Sequence, residues 1–470
     1  MQPGGFDAAT IPERHEAMRT GATSAAALTD AYLARIAALD PSIGAVLALD
    51  PTAGAQAAAS DARWRAGTPG ALEGIPLLIK DNIASSGLPT TAGSRALAES
   101  APTDAPLVTR LRDAGAIILG KANLSEWANL RSSHSTSGWS AVGGQTRNPH
   151  DLERNPSGSS SGSAAGVAAA LAQAAIGTET DGSILSPSAA CGIVGLKPTL
   201  GTVPGEGIVP ISSHQDTAGP MTRHVVDVAI LQAVLAGVVV PPLRPDALVG
   251  ARIGVWRQPD VDRAGSAVRR DAVAALVGAG AFTVELELDV TAIDDHELAA
   301  LLAEFRAELN DYLACAPNAA VRSLGELIAF NRADDVELRY FDQDLLEQAL
   351  ASPSLDSADY REHRATATEA ARGCIDQAVA GHRLDAIVGL ANGPAWPIDY
   401  ARGDVEGVSA STPAAVAGYP SITVPAGFAD GLPVGLAFFA PAGADARLLQ
   451  LAFGFEHATR ARRAPDLARP

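Results

Sequence analysis

Apolar positions recur along the chain with two alternating periods. In residues 24–40, Leu28, Tyr32, Ile36 and Leu39 fall on one helical face, and Thr23 or Ser24 supplies a capping oxygen. Residues 45–49 form a short apolar run of the strand type, and a second helix is predicted over 54–64. Residues 74–82 (GIPLLIKDN) carry a buried-strand pattern that ends in the polar Lys80, Asp81 and Asn82. A helix over 107–114 and a strand over 116–119 continue the rhythm. Strands alternating with helices predict an α/β fold, a three-layer α/β/α arrangement around a large mixed, mostly parallel sheet.

Residues 163–175 (SAAGVAAALAQAA) read as a helix of small side chains able to lie close to a sheet. Residues 225–236 read as another. The pattern changes over 255–381, where charge and helix formers accumulate (304–314, 337–350) and glycine thins out. This predicts a helical insertion covering one side of the core. Strand patterns return at 386–390, 421–424 and 434–439, followed by a helix over 445–456. With no internal repeat and no low-complexity tail, residues 1–470 are expected to form one domain.

Composition narrows the function classes. A net charge of −18 argues against a nucleic-acid partner, which calls for a basic face. The most apolar stretch, 229–240, is too short for a membrane span and is broken by Gly237. The first 20 residues lack the basic start and apolar run of a signal peptide, so a cytoplasmic location is expected. Cys191, Cys315 and Cys374 are widely spaced and odd in number, which predicts free, buried thiols rather than a disulfide framework or a zinc cluster. The nine histidines show no metal-ligand spacing, and neither a metal nor a cofactor is expected. His134 and His214 lie in polar loops and are read as solvated.

Candidate chemistry concentrates in two stretches. Residues 156–163 read PSGSSSGS and residues 177–184 read GTETDGSI. Glycine lets backbone approach a ligand, and serine supplies a nucleophile or a proton relay. The match to G-x-S-x-G centred on Ser160 lacks the strand that a nucleophile elbow requires. No P-loop lysine follows, no serine stands three before a lysine, and no HExxH occurs. Only three of the 35 basic residues are lysines, Lys80, Lys121 and Lys197. Where arginine serves for plain charge, a retained lysine is a candidate base, because burial can neutralise lysine but not arginine. Lys80 stands at a strand end, where α/β sites collect.

Serine plus lysine in this order resembles the amidase signature family. The likeness runs through Lys80 in 75–83, the Gly/Ser run 157–163, the loop 178–184, then 191–199, 215–221, 417–421 and 431–436, and more weakly through nearly the whole chain. The resemblance implies the amidase signature fold and hydrolysis of carboxamides without a cofactor. It implies Ser183 as nucleophile, Ser159 as a bridging serine that follows a cis peptide bond, and Lys80 as base. The backbone N–H groups of Thr180, Asp181, Gly182 and Ser183 match the family's oxyanion hole, and Thr178 matches a supporting threonine. Lys121 and Lys197 are read as structural.

The chain also departs from the family pattern. Ser157 and Ser161 replace glycines, and Asp181 stands where a glycine usually precedes the nucleophile by two. Leu185 replaces an arginine that pairs with an acid at position 179, leaving Glu179 in need of another partner. These variations, with residues 137–140, 144–149 and 304–313, resemble the peptide amidase branch, which removes C-terminal amide groups from peptides. The expected partner is a small-molecule or peptide amide, taken by a monomer or homodimer without membrane contact. Substrate contacts are expected from the 131–139 loop and the helical insertion. Two alternatives stand beside this: a glutamine-hydrolysing amidotransferase subunit working with a partner on charged tRNA, and a non-catalytic binding scaffold on the same fold.

Overall fold

Side chains along the central strands point alternately into two helical layers. Leu78, Ala175, Ala437 and Phe439 enter one core, with Leu28, Tyr32, Ala165, Ile184, Ala371 and Ile375 from the covering helices. Their chain neighbours Leu77, Ile79, Ala174 and Ile176 enter a second core with Leu107, Leu111, Leu231 and Leu235. Leu436 and Phe438 enter a third with Leu276, Leu448 and Phe455. This two-residue alternation makes the sheet a middle layer buried on both faces. The structure, a computed structural model, describes residues 5–259, 262–405 and 407–467.

In chain order the described strands are β1 (Val46–Leu49), β2 (Pro76–Lys80), β3 (Ile117–Ala122), β4 (Trp139–Ser140), β5 (Gly144–Gln145), β6 (Ala174–Glu179) and β7 (Val194–Lys197). They continue with β8 (Thr217–Thr222), β9 (Arg252–Trp256), β10 (Phe282–Leu286), β11 (Ala386–Leu390), β12 (Ser421–Ala429) and β13 (Leu432–Phe439). β4 and β5 form a separate hairpin; the rest form one 11-stranded sheet in the order β1-β3-β2-β6-β8-β7-β12-β13-β11-β9-β10.

The sheet is mixed, but it is not mostly parallel. Only β2–β3, β2–β6, β9–β11 and β9–β10 pair in parallel, and the other six neighbouring pairs are antiparallel. The expected excess came from reading the N-terminal β-α-β rhythm forward. In the second half β12 and β13 join directly as a hairpin.

The helix expected over 163–175 spans Ser161–Ala168, and Ala174 and Ala175 belong to β6. Ala170 turns left-handed at φ 54°, and Leu171 N–H bonds back to Gly166 O at 2.7 Å, which closes the helix. Tertiary packing decides here over alanine's helix propensity. A Cβ at Gly162 would sit 2.4 Å from Ala45 O and 2.5 Å from Asn123 O, so the helix start lies directly on the neighbouring backbone.

Residues 255–381, expected as the helical insertion, begin as sheet. They include the end of β9, the helix Arg263–Gly278 and β10. The covering layer starts with Thr291–Cys315 and continues with Leu324–Ala333, Asp344–Ala351 and Ala358–His382. The helix expected from 337 therefore starts at Asp344. Leu301, Phe305, Leu309 and Leu346 of this layer pack on Trp127, Leu130 and Ile211 of the loops beside the sheet. Cys191 is buried as expected, whereas Cys315 is exposed and Cys374 half-buried, and all three are free thiols. Among the described residues, no helix is long and apolar enough to cross a membrane.

Candidate active site

Lys80 ends β2, and Ile79 pairs in register with Ile176 of β6, which brings Lys80 beside Thr178. Its Nζ donates to Ser159 Oγ at 2.7 Å, Thr178 Oγ1 at 2.8 Å and Thr178 O at 3.2 Å. Asn82 Nδ2 donates to the same Thr178 hydroxyl at 2.9 Å. Lys80 and Ser159 have no solvent exposure. Burial lowers the Lys80 pKa to about 7, against the opposing charges of Asp216 and Glu179. At neutral pH a large share of Lys80 is thus an uncharged amine able to accept a proton.

The loop after β6 carries Thr180, Asp181, Gly182 and Ser183. Gly182 takes φ 75°, and a Cβ there would sit 2.9 Å from Ser411 Oγ, so the turn needs glycine. Among the described residues, no protein acceptor engages the backbone N–H groups of Asp181, Gly182 or Ser183, and no hydrogen bond engages the Ser183 hydroxyl. These groups line a cavity of about 510 Å³ together with Ser157, Gly158 and Thr412. Free N–H groups on a tight turn at a cavity wall form a nest for negative charge.

Glu179, short of its family partner, caps the segment after Ser183. Its Oε2 accepts from Ile184 N–H at 2.8 Å and Leu185 N–H at 3.0 Å. Burial raises its pKa, opposed by the Lys197 charge and these hydrogen bonds. Asp181 turns aside, accepting from Thr412 Oγ1 at 2.7 Å, which leaves its backbone free for the cavity. Thr180 Oγ1 donates to Asp216 at 2.6 Å, and burial raises Asp216 to about 6.

In the Gly/Ser loop the Gly158–Ser159 peptide bond is cis. Ser157 is left-handed at φ 63°, where a glycine would be usual, and its carbonyl accepts from Ser161 Oγ at 2.6 Å. Ser160 is occupied structurally: its hydroxyl donates to Thr178 O at 3.0 Å and accepts from Thr178 N–H at 3.2 Å. Ser160 N–H in turn donates to Ser183 O at 3.2 Å, which holds the two loops side by side. The structure brings Lys80, Ser159 and Thr178 into contact. It places Ser183 on the adjoining wall without a hydrogen bond to Ser159.

The other candidates fall outside this centre. Lys121 donates to Ile83 O at 2.8 Å and Thr90 Oγ1 at 2.9 Å and pairs with Asp81 at 3.1 Å. Lys197 is buried, with Pro198 O at 3.4 Å. His134 and His214 are exposed. Among the described residues, no cluster of three or more His, Cys, Asp or Glu side chains is placed to hold a metal.

The 131–139 loop and the covering helices do reach the cavity, through Ser132, Ser133, Ser135, Ser137 and Leu301. Asp404 and Trp396, which sequence reasoning missed, also line it, bonded to each other through Trp396 Nε1 at 3.0 Å. They sit in a stretch with no periodicity to read. Asn82, Gln215 and Asp216 lie inside family-like motifs, but nothing in the spacing shows that they bond to Thr178 and Thr180 behind the cavity wall.

The chain is similar to known proteins along nearly its whole length. The amidase family's sequence pattern matches residues 27–449. The solved native peptide amidase of Stenotrophomonas maltophilia is 46% identical, covering 99% of this chain and 100% of that one, with a TM-score of 0.94. Among curated proteins, a probable amidase of Arabidopsis thaliana is 36% identical over 485 residues, 97% of this chain and 91% of its own length. A glutamyl-tRNA(Gln) amidotransferase subunit of Symbiobacterium thermophilum is 37% identical over 481 residues, 94% of each chain. With the family pattern spanning most of its length and relatives matched nearly end to end, the chain belongs to the amidase family and is an amide-hydrolysing enzyme.

Proposed function

We propose that the protein hydrolyses the terminal carboxamide of peptides or similar amides, releasing ammonia, with Ser183 as nucleophile, Ser159 as bridging relay and Lys80 as general base. The observation that carries this reading is the buried 2.7 Å contact between Lys80 and Ser159, beside a loop of free N–H groups. In this mechanism the Ser183 hydroxyl comes within hydrogen-bond reach of Ser159. Ser183 then passes its proton to Ser159 as Ser159 passes its own to neutral Lys80. The Ser183 oxygen bonds to the amide carbon, and the carbonyl oxygen becomes an oxyanion. The N–H groups of Asp181, Gly182 and Ser183, with Thr180 as the fourth, receive it. Each well-aimed donor contributes about 3–4 kcal/mol in such sites. Protonated Lys80 returns a proton through Ser159 to the leaving nitrogen, the C–N bond breaks and ammonia departs. Water, deprotonated along the same path, then cleaves the acyl-Ser183 ester to the free acid.

Two observations support peptide or neutral amides over glutamine. One is the 46% identity to a peptide amidase. The other is the cavity wall: its described lining holds Asp181 and Asp404 but no Lys, Arg or His. Such a wall offers no cationic partner to a free α-carboxylate. The likeness to amidotransferase subunits keeps glutamine as the second reading, and the lining favours the first. The test is ammonia release by the purified chain alone from peptide amides, glutamine, aryl amides and fatty amides. Turnover of peptide amides that disappears in Ser183→Ala supports the reading. Activity on glutamine only with an added partner chain contradicts it.

A further inference from the structure

Thr180 opens the loop that carries Ser183, and it is held twice by one neighbouring segment. Its hydroxyl donates to Asp216, and its carbonyl accepts from Gln215 Nε2 at 3.2 Å. Gln215 Oε1 in turn accepts from Arg364 Nη1 at 2.6 Å. The other face of that guanidinium forks onto Glu304, Nε to Oε1 at 2.7 Å and Nη2 to Oε2 at 2.5 Å. Glu304 also accepts from Tyr360 OH at 2.8 Å and Ser212 Oγ at 2.5 Å. Gln215 and Glu304 are fully buried, and Arg364 is nearly so. Arg364 and Glu304 come from two helices of the covering layer, Ala358–His382 and Thr291–Cys315. None of the three lines the cavity.

A covering layer needs only apolar contact to shield the site. A buried ion pair is expensive to desolvate and is weak evidence for stability, so its use here calls for another explanation. Peptide geometry supplies one. The Thr180 carbonyl and the Asp181 N–H belong to one rigid trans peptide plane and point in opposite directions. Holding the carbonyl toward Gln215 therefore turns the Asp181 N–H the other way. We propose that Gln215 and Arg364 are positioning residues: the Glu304–Arg364–Gln215 chain fixes the Thr180–Asp181 peptide so that its N–H is aimed for the developing oxyanion. The helical layer thereby sets the efficiency of the site as well as covering it. This rests on the reading of residues 180–183 as oxyanion donors.

Gln215→Met keeps length and removes all three side-chain hydrogen bonds of Gln215, to Thr180 O, to Arg364 and to Glu297 Oε1, which its Nε2 also meets at 2.7 Å. On a peptide amide, kcat is expected to fall about tenfold or more with KM within about threefold, because the oxyanion exists only after attack. A peptide aldehyde, which adds to a serine as an oxyanion-bearing hemiacetal, should lose affinity in step with kcat/KM. Arg364→Lys keeps the charge but cannot hold Glu304 and Gln215 together, so the same split is expected in smaller degree. Adding Arg364→Lys to Gln215→Met should then cost little more. Unchanged kcat in Gln215→Met overturns the proposal. So does a loss that matches only a lower fraction of titratable sites with full aldehyde affinity, or one that adds fully in the double variant. Ser183→Ala is measured alongside. If it keeps activity, the assignment of the loop itself falls; if it is inactive while Gln215→Met is normal, only the positioning role falls.

Discussion

Lys80 Nζ lies 2.7 Å from the Ser159 hydroxyl, and neither side chain reaches solvent. Ser160, one residue on, spends its hydroxyl on the backbone of Thr178. Two adjacent serines thus differ in role by what they touch. Ser159→Ala is expected to lower kcat about 100-fold or more, the scale of general acid–base catalysis. Ser160→Ala should stay within about tenfold in kcat and destabilise by about 1–3 kcal/mol, since it strips hydrogen bonds from buried backbone groups. Steady-state rates and denaturant unfolding of both variants check the contrast.

Thr178 accepts a hydrogen bond from Lys80 at 2.8 Å, which favours the charged form of the lysine. Thr178→Val removes that acceptor, so the Lys80 pKa falls further. The acid limb of the rate profile should move down by about one pH unit, the equivalent of a hydrogen bond to a charged group. Measuring kcat/KM from pH 5 to 9 (about the range in which lysine so perturbed titrates) decides it. A limb that stays in place or moves up contradicts the assignment.

The same burial makes Lys80 a stability cost with a defined pH window. Its pKa is about 7 in the fold against 10.5 as the ordinary value. Between these values the unfolded chain binds one more proton than the folded one, so stability rises with pH there. The penalty is complete below pH 7 and relieved above 10.5. Lys80→Met, free of that charge, should gain most on wild type near pH 6. Its advantage should shrink by about 2–3 kcal/mol between pH 7 and 9. Unfolding free energies at several pH values test the trend, which a constant difference would contradict.

Asp181 and Asp404 on a cavity wall without basic side chains make charge the clearest discriminator among substrates. A peptide amide is expected to exceed glutamine in kcat/KM by at least about 100-fold, the cost of facing a carboxylate toward two acidic side chains with no cation to offset it. A peptide amide bearing a free carboxylate beside the scissile group should be slowed likewise. Comparable rates on glutamine and on neutral peptide amides would refute this reading of the wall.

Much of the fold and site was legible because the signals were local. Ser24 caps its helix as the sequence indicates, accepting from Ala27 N–H at 3.0 Å. The helix over 225–236 matches Val225–Ala236. The family resemblance pointed to Lys80, Ser159 and Thr178, which meet in space. What stayed hidden was nonlocal. Strand direction depends on how β7, β8, β12 and β13 pair across the sheet, which no periodicity encodes. The alanine run 163–175 reads as helix until its last residues are needed in β6. Arg364 and Gln215 are 149 positions apart, and only the fold shows that they join. Glu179 lost its expected arginine, yet backbone N–H groups five and six residues on answer it.

The central claim is that Lys80, neutral because it is buried, draws a proton from Ser183 through Ser159. The most direct measurement is the pH dependence of kcat/KM for a peptide amide, with Lys80→Arg run in parallel. The account predicts that the wild-type rate rises through a pKa of about 7 and that Lys80→Arg stays inactive at every pH while remaining folded. A wild-type rate that is flat from about pH 5 to 9, or substantial turnover by Lys80→Arg, would contradict it.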